Sequence, residues 1–192
     1  MRLGRVEVTG GFLLLLAWVN YLDRSFLVPM AVLACGAHEL GHLTAIRVLG
    51  GNVKGIRLTA IGAELMMSQQ LGYWQEGLCA LAGPGVNLFL ALVCCGLECW
   101  PAFGGLNLVL ALFNLMPAGR LGGGKALYCT LALLFRVDLA CRVCGSLNLL
   151  CTAGILAAGA GLAGRFGNIT LLLVALWLLT ALLEQSPWGR RM

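Results

Sequence analysis

The chain has 192 residues, is 60% hydrophobic and only 11% charged, and has a mean hydropathy of +0.90. That composition is far more apolar than a soluble domain and leaves no polar stretch long enough to fold separately, so residues 1–192 read as a single integral membrane domain. The formal charge of +5 does not point to nucleic acid, because the Lys and Arg residues stand singly at the ends of apolar runs and form no patch.

In chain order, apolar runs bounded by charges, Gly or Pro fall at about 10–22, 26–49, 73–97, 105–136, 139–163 and 168–184. They predict an all-α polytopic membrane protein of about six transmembrane helices, with the lipid bilayer as its solvent. The first run follows Arg2 and Arg5 and has the length of a signal-peptide core. However, "AWVNYLDRS" offers no small-x-small cleavage site, so a retained helix is expected.

With both termini cytoplasmic, Arg2, Arg5, Arg47, Lys54, Arg57, Arg136, Arg142, Arg190 and Arg191 fall inside and only Arg24 and Arg165 outside. The positive-inside rule favours that orientation for a multi-pass protein of the cell membrane, most simply a bacterial plasma membrane. Arg120 and Lys125 remain within the fourth run, where charge is costly and usually functional; snorkelling towards an interface is the other account of Lys125.

After the second run, "GNVKGIRLTAIGAELMMS" at 51–68 alternates Ile56, Leu58 and Ala60 with Arg57, Thr59 and Ile61, which predicts short strands or a hairpin at the cytoplasmic face. Near the C-terminus, "AGILAAGAGLAGRFG" is dense in Gly and Ala, a composition that lets membrane helices approach closely. The nine cysteines lie mostly in apolar runs, where Cys serves as a small hydrophobe. "CRVC" at 141–144 has knuckle spacing but no second pair to complete a structural zinc site.

The chemistry concentrates in "CGAHELGHLTAIRVLG" at 35–50. On a helix, His38 and His42 project from one face about 6 Å apart along the axis and can grip one metal ion, while Glu39 lies about 100° round from His38. Zinc lowers the pKa of bound water, and a neighbouring carboxylate can take its proton as a peptide carbonyl is attacked. A polar patch mediating helix contacts is the alternative. Unpaired His and Glu are costly in hydrocarbon, so their joint presence calls for a compensating metal or polar cavity. Arg47 places the cluster about 8 Å below the cytoplasmic surface.

HELGH in an apolar helix, then a hairpin, "LAGPGVN" at 81–87 and "FNLMPAGRLGGGKAL" at 113–127, resembles the site-2 protease family of intramembrane zinc proteases, in its compact bacterial branch. The resemblance covers about residues 10–184. It implies Zn2+ held by His38 and His42, with Glu39 as the catalytic base. It also implies that Asn87, from Gly-Pro-x-x-Asn, and Asn114, Pro117 and Gly123, from the later motif, support substrate or active site. Asn87 also reads as a satisfied amide beside a packing kink, since Pro84 with Gly83 and Gly85 would break the third helix. The strand at 53–61 resembles the family's membrane-edge strand, which offers backbone hydrogen bonds to an unwound substrate.

The sequence departs from the family where the third zinc ligand is expected: after Asn114, Pro117 and Leu121, the aspartate position holds Gly122. Catalytic zinc sites ordinarily use three protein ligands. Asp23, Asp138 and Cys35 are poorly spaced to replace it, and Glu76 is the geometrically feasible substitute. The leading expectation is a zinc metalloendopeptidase acting on a transmembrane segment of a membrane protein substrate. Its alternative is a catalytically impaired relative that binds or regulates a membrane partner. A transporter using the His-Glu cluster as a relay would need further intramembrane carboxylates, and none is well placed.

Overall fold

The computed structural model describes residues 2–3, 6–59, 62–67, 70–118, 121–167 and 170–183. Arg5, Arg190 and Arg191, counted for the orientation of the chain, lie outside the described residues, as does Arg120 of the fourth run. The chain divides into two compact units, Met1–Leu112 and Phe113–Met192.

In the first unit, β1 (Arg2–Leu3) and β2 (Val6–Val8) lead into helix α1 (Gly10–Leu22). The α1 N-terminus is capped by Thr9, whose hydroxyl accepts from the Phe12 N–H at 3.3 Å. Helix α2 (Leu27–Val48) follows, then β3 (Val53–Thr59), β4 (Gly62–Met67), α3 (Tyr73–Gly96) and α4 (Pro101–Asn114), whose last residues enter the second unit. The predicted hairpin is present as the antiparallel β3–β4 pair, but it belongs to a four-stranded sheet ordered β1-β2-β3-β4. β2 runs parallel to β3 with Glu7 opposite Arg57, and their side chains pair at 3.8 Å. The edge-strand expectation is thereby corrected. β3 is paired on both sides, and among the described residues the sheet ends at β1 and β4.

Helices α2 and α3 pack along each other at backbone range. A Cβ on Gly41 would lie 2.8 Å from the Ala82 carbonyl oxygen and 2.9 Å from Val86 Cγ2, so only glycine permits this approach. Pro84 does not break α3, which runs unbroken from Tyr73 to Gly96. A proline removes one ladder bond, and a helix tolerates that loss when neighbours pack closely around it; Pro84 is fully buried. Gln75 joins the two helices at their polar ends: its Oε1 accepts from the Gly72 N–H and its Nε2 donates to the Leu49 carbonyl, both at 2.9 Å.

The second unit contains α5 (Gly122–Leu134), α6 (Val137–Phe166) and α7 (Thr170–Leu183), with α6 packed on both others. Its core gathers Ala118, Leu121 and Leu178, with Met116, Ile155 and Trp177 around them. Of the Gly-rich stretch on α6, Gly159 stands at a tight contact: its Cβ would lie 2.8 Å from the Leu172 backbone nitrogen.

Seven helices therefore appear among the described residues where six runs were expected, because the loop at 115–121 divides the 105–136 run into α4 and α5. Among the described residues two helices are long and apolar enough to cross a membrane, Tyr73–Gly96 and Val137–Arg165. The 22-residue α2 carries His38, Glu39, His42 and Arg47, which lower its hydropathy, while α1, α4, α5 and α7 have 13 or 14 residues each. At 1.5 Å per residue such short helices reach only about 20 Å.

Candidate metal centre

His38 and His42 lie one turn apart on α2, on the face turned towards α3. Their Nε2 atoms are 3.1 Å apart and the rings meet edge to face. Each Nδ1 is engaged on α3: that of His38 lies 2.5 Å from the Asn87 side-chain oxygen, and that of His42 lies 2.6 Å from the Cys79 carbonyl oxygen. Both partners are acceptors, so each Nδ1 carries the hydrogen and each Nε2 is left with its lone pair. Two such lone pairs repel at this range unless a cation or a shared proton lies between them. Tetrahedral zinc with bonds of about 2.0–2.1 Å would set its nitrogens about 3.3 Å apart, close to the spacing found.

Gly83 supplies the space. A Cβ on it would collide with His42 Nε2 and approach His38 Nε2 to 2.8 Å. The missing side chain leaves room for an atom where the imidazoles converge. His38 is 7% exposed and His42 half-buried, so the pair is largely screened. The imidazole pair thus fits zinc, with its outer nitrogens held as orienting partners hold them at metal sites. Glu39 is half-buried, and no hydrogen bond or ion pair among the described residues engages its carboxylate.

The tetrahedron is incomplete in side chains. No group of three or more His, Cys, Asp or Glu suited to a metal occurs among the described residues, so neither Glu76 nor Cys35 makes up a third ligand with the pair. Glu76, at 2% exposure, is buried in the first turn of α3.

Of the remaining motif residues, Asn87 is brought to His38, whereas Asn114, Pro117 and Gly123 belong to the second unit. Asn114 ends α4, and Pro117 lies half-buried in the loop that follows. Gly123 sits in the first turn of α5, where a Cβ would collide with the Leu115 carbonyl and come within 2.8 Å of the Met116 carbonyl oxygen. Two contributors escaped sequence reasoning. The Cys79 carbonyl leaves no trace in a sequence. Asn107, fully buried on α4 and bonded to Asn87, did leave one, as a second amide beside Asn114 in the apolar run "LNLVLALFN".

No family model matches the chain. A protein of Synechocystis whose name proposes a zinc metalloprotease is 35% identical over an alignment of 122 residues that covers 57% of this chain and 31% of that protein. The matched chain thus spans less than a third of that relative's length. Among solved structures, the site-2 protease from Methanocaldococcus jannaschii superposes with a TM-score of 0.70 at 22% identity, covering 97% of this chain and 93% of that one. The fold is that of a site-2 protease, and the likeness to the site-2 protease family of zinc metalloproteases, first read from three motifs, stands in both sequence and structure.

Proposed function

We propose that the chain is an intramembrane zinc metalloprotease of the site-2 type, which hydrolyses a peptide bond in or near a transmembrane segment of another membrane protein. The observation that carries this reading is the convergence of two imidazole Nε2 atoms at 3.1 Å above Gly83, with both Nδ1 atoms tied to oxygens. Zinc held there would supply Lewis-acid polarisation and acidify water. His38 and His42 would hold the ion. Glu39, one residue from His38 and with no hydrogen bond or ion pair among the described residues, would take the proton of the attacking water and return it to the leaving amine.

In this reading the shorter apolar helices lie in the bilayer with α3 and α6, the chain is multi-pass, and both termini are cytoplasmic. Asn114, Pro117 and Gly123 keep the supporting role that the family gives their motif. A helical substrate must unwind before hydrolysis, because its scissile carbonyl is already hydrogen-bonded. The edge of β4, unpaired among the described residues, offers that unwound segment a strand to pair with, in place of the covered β3.

One observation favours a second reading, a catalytically impaired relative that binds or regulates membrane proteins. Gly122 stands where the family has its acidic ligand, and no third side-chain ligand joins the histidines among the described residues. Purified protein separates the two readings through its zinc content and its cleavage of a model membrane substrate. Stoichiometric zinc with cleavage lost in Glu39→Gln supports the protease. Cleavage that appears only in Gly122→Asp supports the impaired relative.

A further inference from the structure

Behind His38 lies a chain of buried amides that the zinc-ligand reading leaves unused. The Asn87 side-chain nitrogen donates to the Ala34 carbonyl at 3.1 Å and to the Asn107 side-chain oxygen at 2.7 Å. The Asn107 nitrogen in turn donates to the Phe103 carbonyl at 2.9 Å. Asn87 and Asn107 are both fully buried, so no bulk water competes for these bonds.

The direction of the chain follows from its far end. The Phe103 carbonyl can only accept, so the Asn107 nitrogen must face it and the Asn107 oxygen must face Asn87. The Asn87 nitrogen then faces Asn107 and Ala34, which turns the Asn87 oxygen to His38. An oxygen at that place demands hydrogen on His38 Nδ1 and leaves the lone pair on Nε2, the atom directed at His42 and Gly83. Reversing any amide sets two acceptors or two donors against each other in a dry interior.

We propose that Asn107 is a positioning residue for the metal centre: it fixes the orientation of the Asn87 amide and, through it, which nitrogen of His38 carries the hydrogen. The first carbonyl of this relay belongs to α4, so a helix that bears no ligand sets the binding state of a ligand on α2. The proposal deepens the zinc reading, and only the metal-affinity part of its test rests on that reading.

The chain contains two histidines, so selective nitrogen-15 histidine labelling yields two imidazoles to assign. With the full chain in detergent, free of metal and at about pH 8, where unperturbed imidazoles are neutral, the ring nitrogen shifts report the tautomer of each. Wild-type His38 is expected as a single Nδ1–H tautomer. Asn107→Leu, which removes the acceptor and the donor, is expected to give a mixture and to weaken Zn2+ binding about 10- to 100-fold, the range typical for loss of an outer partner. Asn107→Asp, whose buried acid group is neutral and presents the same carbonyl and one donor, is expected to keep the single tautomer and stay within about threefold of wild-type affinity. The proposal is overturned if Asn107→Leu keeps both the tautomer and the affinity, or if wild-type His38 carries its hydrogen on Nε2. Should Asn107→Leu fail to fold, Asn107→Asp decides: a single Nδ1–H tautomer supports the relay and a mixture overturns it. A wild-type chain that binds no zinc would sink the ligand reading and leave the tautomer result to judge the relay.

Discussion

Gly83 and His38 face each other across the α2–α3 contact so closely that one methyl group on the glycine would come within 2.8 Å of the imidazole Nε2. Gly83→Ala is therefore expected to weaken Zn2+ binding at least about tenfold by filling the place where the nitrogens converge. Gly85, two residues on, has nothing within 4 Å of its would-be Cβ, and Gly85→Ala should leave zinc affinity unchanged. Metal titrations of the two variants check the pair, and equal affinities would contradict the assignment of this space.

A stability contrast tests the packing of the same helices. Gly41→Ala drives a methyl into the Ala82 carbonyl and Val86, and overpacking of this kind costs about 1–3 kcal/mol. Gly36→Ala on the same helix meets nothing within 4 Å and should be neutral or slightly stabilising through helix propensity. Thermal unfolding in detergent measures both.

The α1–α2 connection responds to pH. Asp23 lies outside the helices, and its carboxylate accepts from the Val28 N–H at 2.8 Å and the Ser25 N–H at 2.9 Å, which holds its pKa below the ordinary aspartate value, Val28 contributing most. A depressed folded-state pKa adds stability above the unfolded value of 3.8 and loses it as pH falls through the folded value. Asp23→Ala should consequently lower the Tm at neutral pH, with the gap to wild type closing as the pH falls below 3.8 and through the depressed folded-state value. A gap that does not change with pH would assign the loss to something other than the charge.

Opening of the substrate strand is tested at β4. If its free edge pairs with substrate, proline in that strand at a position whose N–H points outwards should reduce cleavage severalfold and leave zinc content unchanged. The same change at an exposed site of α6 should spare cleavage.

The apolar runs located the helices to within a few residues wherever composition changed sharply at both ends, as at Gly10–Leu22 and Tyr73–Gly96. They merged α4 with α5, because Leu115, Met116 and Pro117 are as apolar as the helices they separate. β1 and β2 are too short for an alternating pattern to register, so the covering of β3 was invisible until pairing was seen. In the site, the four-residue spacing of His38 and His42 implied that they share a face. That their outer nitrogens meet Asn87 and a backbone carbonyl depends on α3 packing, which no local pattern encodes. Pro84 misled for the opposite reason: its local tendency to break a helix was overridden by burial.

Zinc-edge X-ray absorption on the purified chain tests the central claim most directly, since it counts ligands by element and distance. The account predicts one zinc per chain with two imidazole nitrogens at about 2.0–2.1 Å, lost together in His42→Ala. Zinc bound through cysteine sulfur at about 2.3 Å, or a chain that holds no zinc when the ion is supplied, would contradict it.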